Sequence, residues 1–145
     1  MAGKHSISAR ATSSAPPERV WELLADPVTW GEWSDFKSGS LEAPGSPEPN
    51  GVGAIRHFER VGGVTRERVV AFEPPRHFAY ELIEGVPIRD YRADVTLEPT
   101  AEGGTEIRWE STFEGRPPVP GGLVRIGLGW FVGRVARDLA RAAER

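Results

Sequence analysis

Apolar and polar positions in this chain alternate with a period of two over several short stretches and with a helical period over two others. His5 to Thr12 puts Ile7, Ala9 and Ala11 on one side and Ser6, Ser8 and Arg10 on the other. That alternation predicts a half-buried strand. Ser13 to Glu18 reads as a helix start: a serine able to cap, prolines suited to the first turn, and an acidic residue that complements the helix dipole. Val20, Leu23 and Leu24 then form an apolar stripe, with Trp21 at its edge. Asp26-Pro27 ends this helix, because a residue before proline avoids the helical region. Trp30 and Trp33, three apart, predict a second short helix.

The middle of the chain reads as strands. Phe36 to Ala43 alternates weakly, and Pro44 to Gly51 is a loop. Val52 to Val61 and Val64 to Phe72 flank Gly62-Gly63, a two-residue hairpin signal. His77 to Ile83 follows, then a turn at Gly85 to Pro87. Arg89 to Leu97 and Thr105 to Phe113 form another hairpin over the Pro99–Gly104 loop, and Pro117 to Gly122 is a linker. Leu123 to Glu144 is helical. Val124, Leu128, Phe131, Val135 and Leu139 make its core-facing stripe, which Ile126 and Trp130 broaden. Gly127, Gly129 and Gly133 each cost about 1 kcal/mol of helix propensity, so close packing or a bend is expected near the helix start.

The predicted order is β-α-α-β-β-β-β-β-β-α. A meander of antiparallel strands cannot bury its inner face alone. The C-terminal helix is the one long element that can cover it. The two short helices can close one end.

Composition narrows the picture. The chain has 145 residues, and this length suits one domain. With no cysteine, disulfides, thiolate metal sites and cysteine nucleophiles are excluded. The formal charge of −3, from 18 basic and 21 acidic residues mixed along the chain, argues against nucleic-acid binding. Met1 to Ser8 has no apolar core of a secretory signal, and no apolar run approaches the ~20 residues that span a bilayer. The expected location is the cytoplasm, without integral membrane association. His5, His57 and His77 are scattered, so no metal site is expected. No nucleophile elbow, phosphate loop or dinucleotide fingerprint appears, and no organic cofactor is expected. Arg134, Arg137, Arg141 and Arg145 read as a solvated helix face, with Asp138 and Glu144 interleaved.

Several landmarks together resemble a known family. Ala15-Pro16-Pro17-Glu18-Arg19-Val20-Trp21, Asp26-Pro27 with Trp30 and Trp33, Glu73-Pro74-Pro75-Arg76 with Tyr80, and Gly103-Gly104-Thr105 with Trp109 stand in the order of the polyketide cyclase/dehydrase group of the START-like (SRPBCC) superfamily. The resemblance covers nearly the whole chain. It implies one helix-grip domain over residues 1–145, of α+β class: a curved antiparallel sheet of about seven strands around a long C-terminal helix, with two short helices near the N-terminus. It also implies a deep apolar pocket. It carries no catalytic residue across, because the matching landmarks are structural.

The Gly62-Gly63 hairpin sets a register in which Val61 faces Val64 and Glu59 faces Arg66. Ala54, Arg56, Phe58, Thr65, Glu67, Val69 and Ala71 then point inward, with Arg56 and Glu67 diagonal to each other. Such a pair would offer a polar handle to a ligand; a slip of one residue would put both in solvent instead. Alternation sends Phe78, Tyr80 and Leu82 inward, with Tyr91, Ala93, Val95 and Leu97, and with Ile107, Trp109, Ser111 and Phe113. The expected cavity lining is Arg56, Phe58, Glu67, Val69, Tyr80, Tyr91, Val95, Trp109, Ser111, Phe113, Leu128, Phe131 and Val135. Trp30, Trp33 and Trp130 are candidates to flank the entrance.

Three functions fit. The first is binding of a small hydrophobic molecule, lipid or polyketide-like, by burial of apolar surface; a homodimer is compatible with it. The second is polyketide cyclisation, aromatisation or dehydration, in which Arg56 stabilises an enolate and Glu67 or Tyr91 moves protons. The third is a START-like co-chaperone or interaction module with a filled interior.

Overall fold

The computed structural model describes residues 4–145. Met1 to Gly3, the start of the stretch read above for a secretory signal, lie outside them. The elements are β1 (Lys4–Ser13), α1 (Pro17–Ala25), a 3-10 turn (Pro27–Thr29), α2 (Trp30–Trp33), β2 (Ser38–Ala43), β3 (Ile55–Arg60), β4 (Gly63–Glu73), β5 (His77–Glu84), β6 (Ile88–Pro99), β7 (Thr105–Gly115) and α3 (Gly121–Ala143). The strands form one antiparallel sheet in the order β1-β7-β6-β5-β4-β3-β2. Pairing shifts by bulges in β2 after Leu41, in β4 after Val69, in β5 at Ile83, and in β6 after Arg89. Each bulge bends its strand, so the long strands curve around α3.

Alternation assigns the inward faces correctly except at Ala71, beyond a bulge in β4. Phe58, Val69, Phe78, Tyr80, Ala93, Val95, Leu97, Ile107, Trp109 and Phe113 are all buried. α3 lies across β1 and β7 and touches α1. Its last turns sink into the core through Val135, Ala136, Leu139, Ala140 and Ala143.

Five local expectations are corrected. First, the β3–β4 turn is Val61-Gly62, and Gly63 opens β4. Gly62 alone takes a positive φ, 85°, which is what the third position of a type II turn requires. The pairing therefore moves by two: Arg60 faces Gly63, Glu59 faces Val64 and Arg56 faces Glu67 directly, not diagonally. A shift of two leaves the side chains up to Val69 on their expected face; beyond it the bulge after Val69 turns Ala71, expected inward, to the outer face and brings Phe72 inward against Trp21 and Phe78.

Second, Ile126 and Trp130 do not join the buried stripe; they are 68% and 63% exposed. At about 100° per residue they stand roughly 200° and 240° around the helix from Val124, on the opposite side. Third, a Cβ at Gly122, Gly127 or Gly129 would meet nothing within 4 Å, and one at Gly133 would meet only the Arg137 guanidinium at 3.4 Å. Gly127, Gly129 and Gly133 are thus not close-packing residues; in α3 that role falls to Gly121, where a Cβ would collide with the His5 ring. Fourth, no serine caps α1, whose N-cap is Pro16. Ser13 instead donates its hydroxyl to the Ala140 carbonyl at 2.7 Å, tying the end of β1 to α3. Fifth, Phe36, expected in a strand, is buried just ahead of β2.

Candidate functional site

The site begins with alternation along β3 and β4. Arg56 and Glu67 are both inward residues at a facing position, so their side chains meet inside the sheet. Arg56 Nη2 lies 3.2 Å from Glu67 Oε1. Neither atom has an aligned hydrogen-bond partner, so the contact is a charge pair. Arg56 Nη1 donates to the Leu24 carbonyl at 2.9 Å, near the C-terminal end of α1, where the helix dipole favours a cation. Trp30 Nε1 donates to the same carbonyl at 3.1 Å.

Arg56 is 0% exposed. Its guanidinium carbon sits 4.9 Å from the Trp30 ring centre, 5.0 Å from Phe58 and 4.8 Å from Phe78. Rings from α2, β3 and β5 thus seal the cation. Cation–π attraction at a desolvated site offsets part of the burial cost. Glu67 faces the other way, into open volume. Burial raises its carboxyl from 4.5 to about 6, against the opposing pull of the Arg56 charge.

That volume is a cavity of about 410 Å³ between the sheet and the first half of α3. Trp30, Phe36, Leu82, Val86, Pro87, Trp109, Val124, Leu128, Phe131, Val132 and Val135 give it an apolar lining. Arg60, Thr65, Glu67, Tyr80 and Tyr91 supply polar groups; Gly85 and Gly127 complete it. Trp109 Nε1 donates to the Tyr80 hydroxyl at 3.3 Å, and the Tyr91 and Ser111 hydroxyls are 2.9 Å apart. Burial pushes both phenols up, so they stay neutral at physiological pH. A mostly apolar hollow with a few fixed polar groups is the usual form of a small-molecule site.

Of the expected lining, Glu67, Tyr80, Tyr91, Trp109, Leu128, Phe131 and Val135 border the cavity. Arg56, Phe58, Val69, Val95, Ser111 and Phe113 are buried but sit outside its lining. The reason is packing: Phe58 and the rings around Arg56 fill the deep end, and Phe113 stacks on His5 at 5.3 Å between centres. The candidate catalytic set is therefore split, with Glu67 and Tyr91 in the cavity and Arg56 behind its wall. Trp33 is packed on Trp30 in the core, 4.6 Å between centres, and Trp130 is exposed; neither borders the cavity. Trp30 lines the cavity from within.

Arg60, Phe36 and the Gly85–Pro87 turn were not anticipated in the lining. Arg60 shares the parity of Arg56 and Phe58, and that was the available signal. Phe36 and the turn reach the cavity only through tertiary packing, which alternation does not encode.

The outer face of the sheet is solvated and ion-paired. Arg66 bridges Glu42 and Glu84, and His57 lies 3.6 Å from Glu42. His77 lies 2.9 Å from Glu73 and 3.0 Å from Asp94. Partial burial pulls the His77 imidazole down, but hydrogen bonds to the two carboxylates outweigh this and raise it. Among the described residues no helix is long and apolar enough to cross a membrane.

A curved antiparallel sheet gripping one long helix over an apolar cavity defines a START-like, helix-grip protein. Residues 4–145 match the family model described as polyketide cyclase / dehydrase and lipid transport, and the chain belongs to that family. A START superfamily protein from Mycobacterium smegmatis has the same fold, with a TM-score of 0.82 at 18% identity, over 97% of each chain. The protein XoxI from Bacillus cereus superposes with a TM-score of 0.72 at 18% identity, over 97% of this chain and 94% of its own. An uncharacterized protein of Mycobacterium tuberculosis is 31% identical over 100 residues, 64% of this chain and 56% of its own length. The match thus spans little more than half of that relative.

Proposed function

We propose that this chain, acting as one helix-grip unit, binds a small hydrophobic molecule in its internal cavity. The observation that carries the reading is the hollow of about 410 Å³ with its aromatic and aliphatic walls. Each 100 Å² of apolar ligand surface moved into it would contribute roughly 2.5 kcal/mol. Glu67, Tyr80 and Tyr91 would orient the guest. A cyclase would need Arg56 at its substrate, and three rings stand around that cation. An interaction module with a filled interior would not need the hollow.

The test is native mass spectrometry of the purified protein, then solvent extraction of what it carries. An apolar molecule released in a near-stoichiometric amount supports the reading. Leu128→Trp, which places a ring in the cavity, is expected to abolish that cargo while the protein stays folded. Cargo unaffected by Leu128→Trp would place binding elsewhere and refute the assignment.

A further inference from the structure

The charged groups of the cavity lining are Glu67 and Arg60, and they differ in one respect. Glu67 is balanced by Arg56 at 3.2 Å. Arg60 has no carboxylate within 4.0 Å among the described residues. The cavity therefore carries one uncompensated positive charge, on a half-buried side chain.

Arg60 is also held in place. Its Nε donates to Thr65 Oγ1 at 3.2 Å, and its Nη2 donates to the Gly85 carbonyl at 2.6 Å. Gly85 has a φ of 132°, and a Cβ there would press on Thr65 Oγ1 at 2.8 Å. The β5–β6 turn therefore sits directly on β4, and the guanidinium is fastened to both. A guanidinium has five N–H donors, so these two bonds leave the Nη1 pair and one Nη2 hydrogen without an acceptor among the described residues. Arg60 faces Gly63 at the hairpin end, and Arg56 faces Glu67 four residues back. At about 3.3 Å per residue the two positions are roughly 13 Å apart. The free cation thus marks one end of the hollow and the neutral pair the other.

We propose that the cavity is selective for amphipathic monocarboxylates, with the carboxylate on Arg60 and the apolar body against Trp30, Phe36, Leu128 and Phe131. This rests on the small-molecule reading above and adds the chemistry of the ligand head. A planar carboxylate matches the remaining N–H fork of a preorganised guanidinium. A single negative charge balances the single free positive one. A dianion would leave an excess buried charge, and an alkylammonium would add a second cation beside the first; both are disfavoured by desolvation. A neutral head would leave the fork unmatched.

The experiment is displacement of a neutral apolar fluorescent dye from the intact chain at pH 8 and low ionic strength. The competitors are dodecanoate, methyl dodecanoate and dodecylammonium, each below its aggregation concentration. Dodecanoate is expected to bind at least about ten-fold tighter than its methyl ester, as a charge-assisted hydrogen bond implies, with the ammonium weakest. Arg60→Gln is expected to erase the acid–ester gap. Arg60→Met, which keeps the aliphatic stem, is expected to do the same if the glutamine variant does not fold. An ester as tight as the acid in the unaltered protein overturns the proposal without any variant. A gap that survives loss of Arg60 overturns it too. Failure of the dye and all three competitors to enter would instead overturn the cavity-binding reading on which the proposal rests.

Discussion

The two halves of α3 live in different surroundings. From Val135 onward the helix is seated: Val135, Ala136, Leu139, Ala140, Ala142 and Ala143 are buried, and small alanines let the backbone approach the sheet. Before Val132 the same helix is propped over the cavity. Leu123, Ile126 and Trp130 are 65%, 68% and 63% exposed, and Val124, Leu128 and Phe131 border open volume. One continuous helix therefore serves as core at its end and as cover at its beginning. The helix is packed tightly where it meets β1 and loosely over the cavity, where the proposed guest would fit.

The sharpest way to break that comparison is truncation. Leu139→Ala should cost about 2–5 kcal/mol, as buried leucines do, measured by urea unfolding. Leu123→Ala should stay within about 0.5 kcal/mol, as exposed substitutions do. Equal losses would abolish the distinction between the halves.

The next contrast lies beneath the cover, at Glu67. Its carboxyl rises from 4.5 to about 6 on folding, so between those values the folded protein holds a proton that the unfolded chain has released. The corresponding stability is complete below pH 4.5 and is lost as pH rises through 6, on the order of 2 kcal/mol. Unfolding of the unaltered protein against Glu67→Gln, from pH 4 to pH 7, should show this fall only where Glu67 is present. A rise instead would mean that the Arg56 charge, not burial, governs the carboxyl.

Smaller still is the effect of the glycines. Gly127→Ala and Gly129→Ala each add a methyl group into open space, so each should stabilise by about 0.5–1 kcal/mol. By contrast, a Cβ at Gly104 would run into the Ser13 carbonyl oxygen, so Gly104→Ala should lower the melting temperature. If the α3 substitutions also destabilise, the first half of the helix is more tightly covered than the structure indicates.

The fold was legible because it depends on periodicity. Period two gave the inward faces of β3 to β7, and those faces survived an error of two residues in the hairpin register but not the β4 bulge, which put Phe72 inward in place of Ala71. The position of the turn was not legible: Gly62 and Gly63 can each adopt a positive φ, and their order does not say which one does. Helical spacing identified Val124, Leu128, Phe131, Val135 and Leu139, yet Ile126 and Trp130 were added on hydrophobicity although their angular positions oppose the stripe. The cavity was legible as a list of inward residues and not as a boundary. Whether Arg56 meets a guest depends on Trp30, Phe58 and Phe78, which come from three elements and converge only in the folded chain. Arg60 shows the reverse case, an inward position that alternation marked and that hydrophobic bias passed over.

The edge strand β2 has a consequence of its own. It is short, Ser38–Ala43, its pairing is broken by a bulge after Leu41, and Pro44 follows it at once. Its free margin is a poor template for another extended chain, because the kink spoils the ladder and proline offers no N–H to extend it. On this margin the curved sheet is thereby hindered from growing sideways into fibrils; the opposite edge is β1.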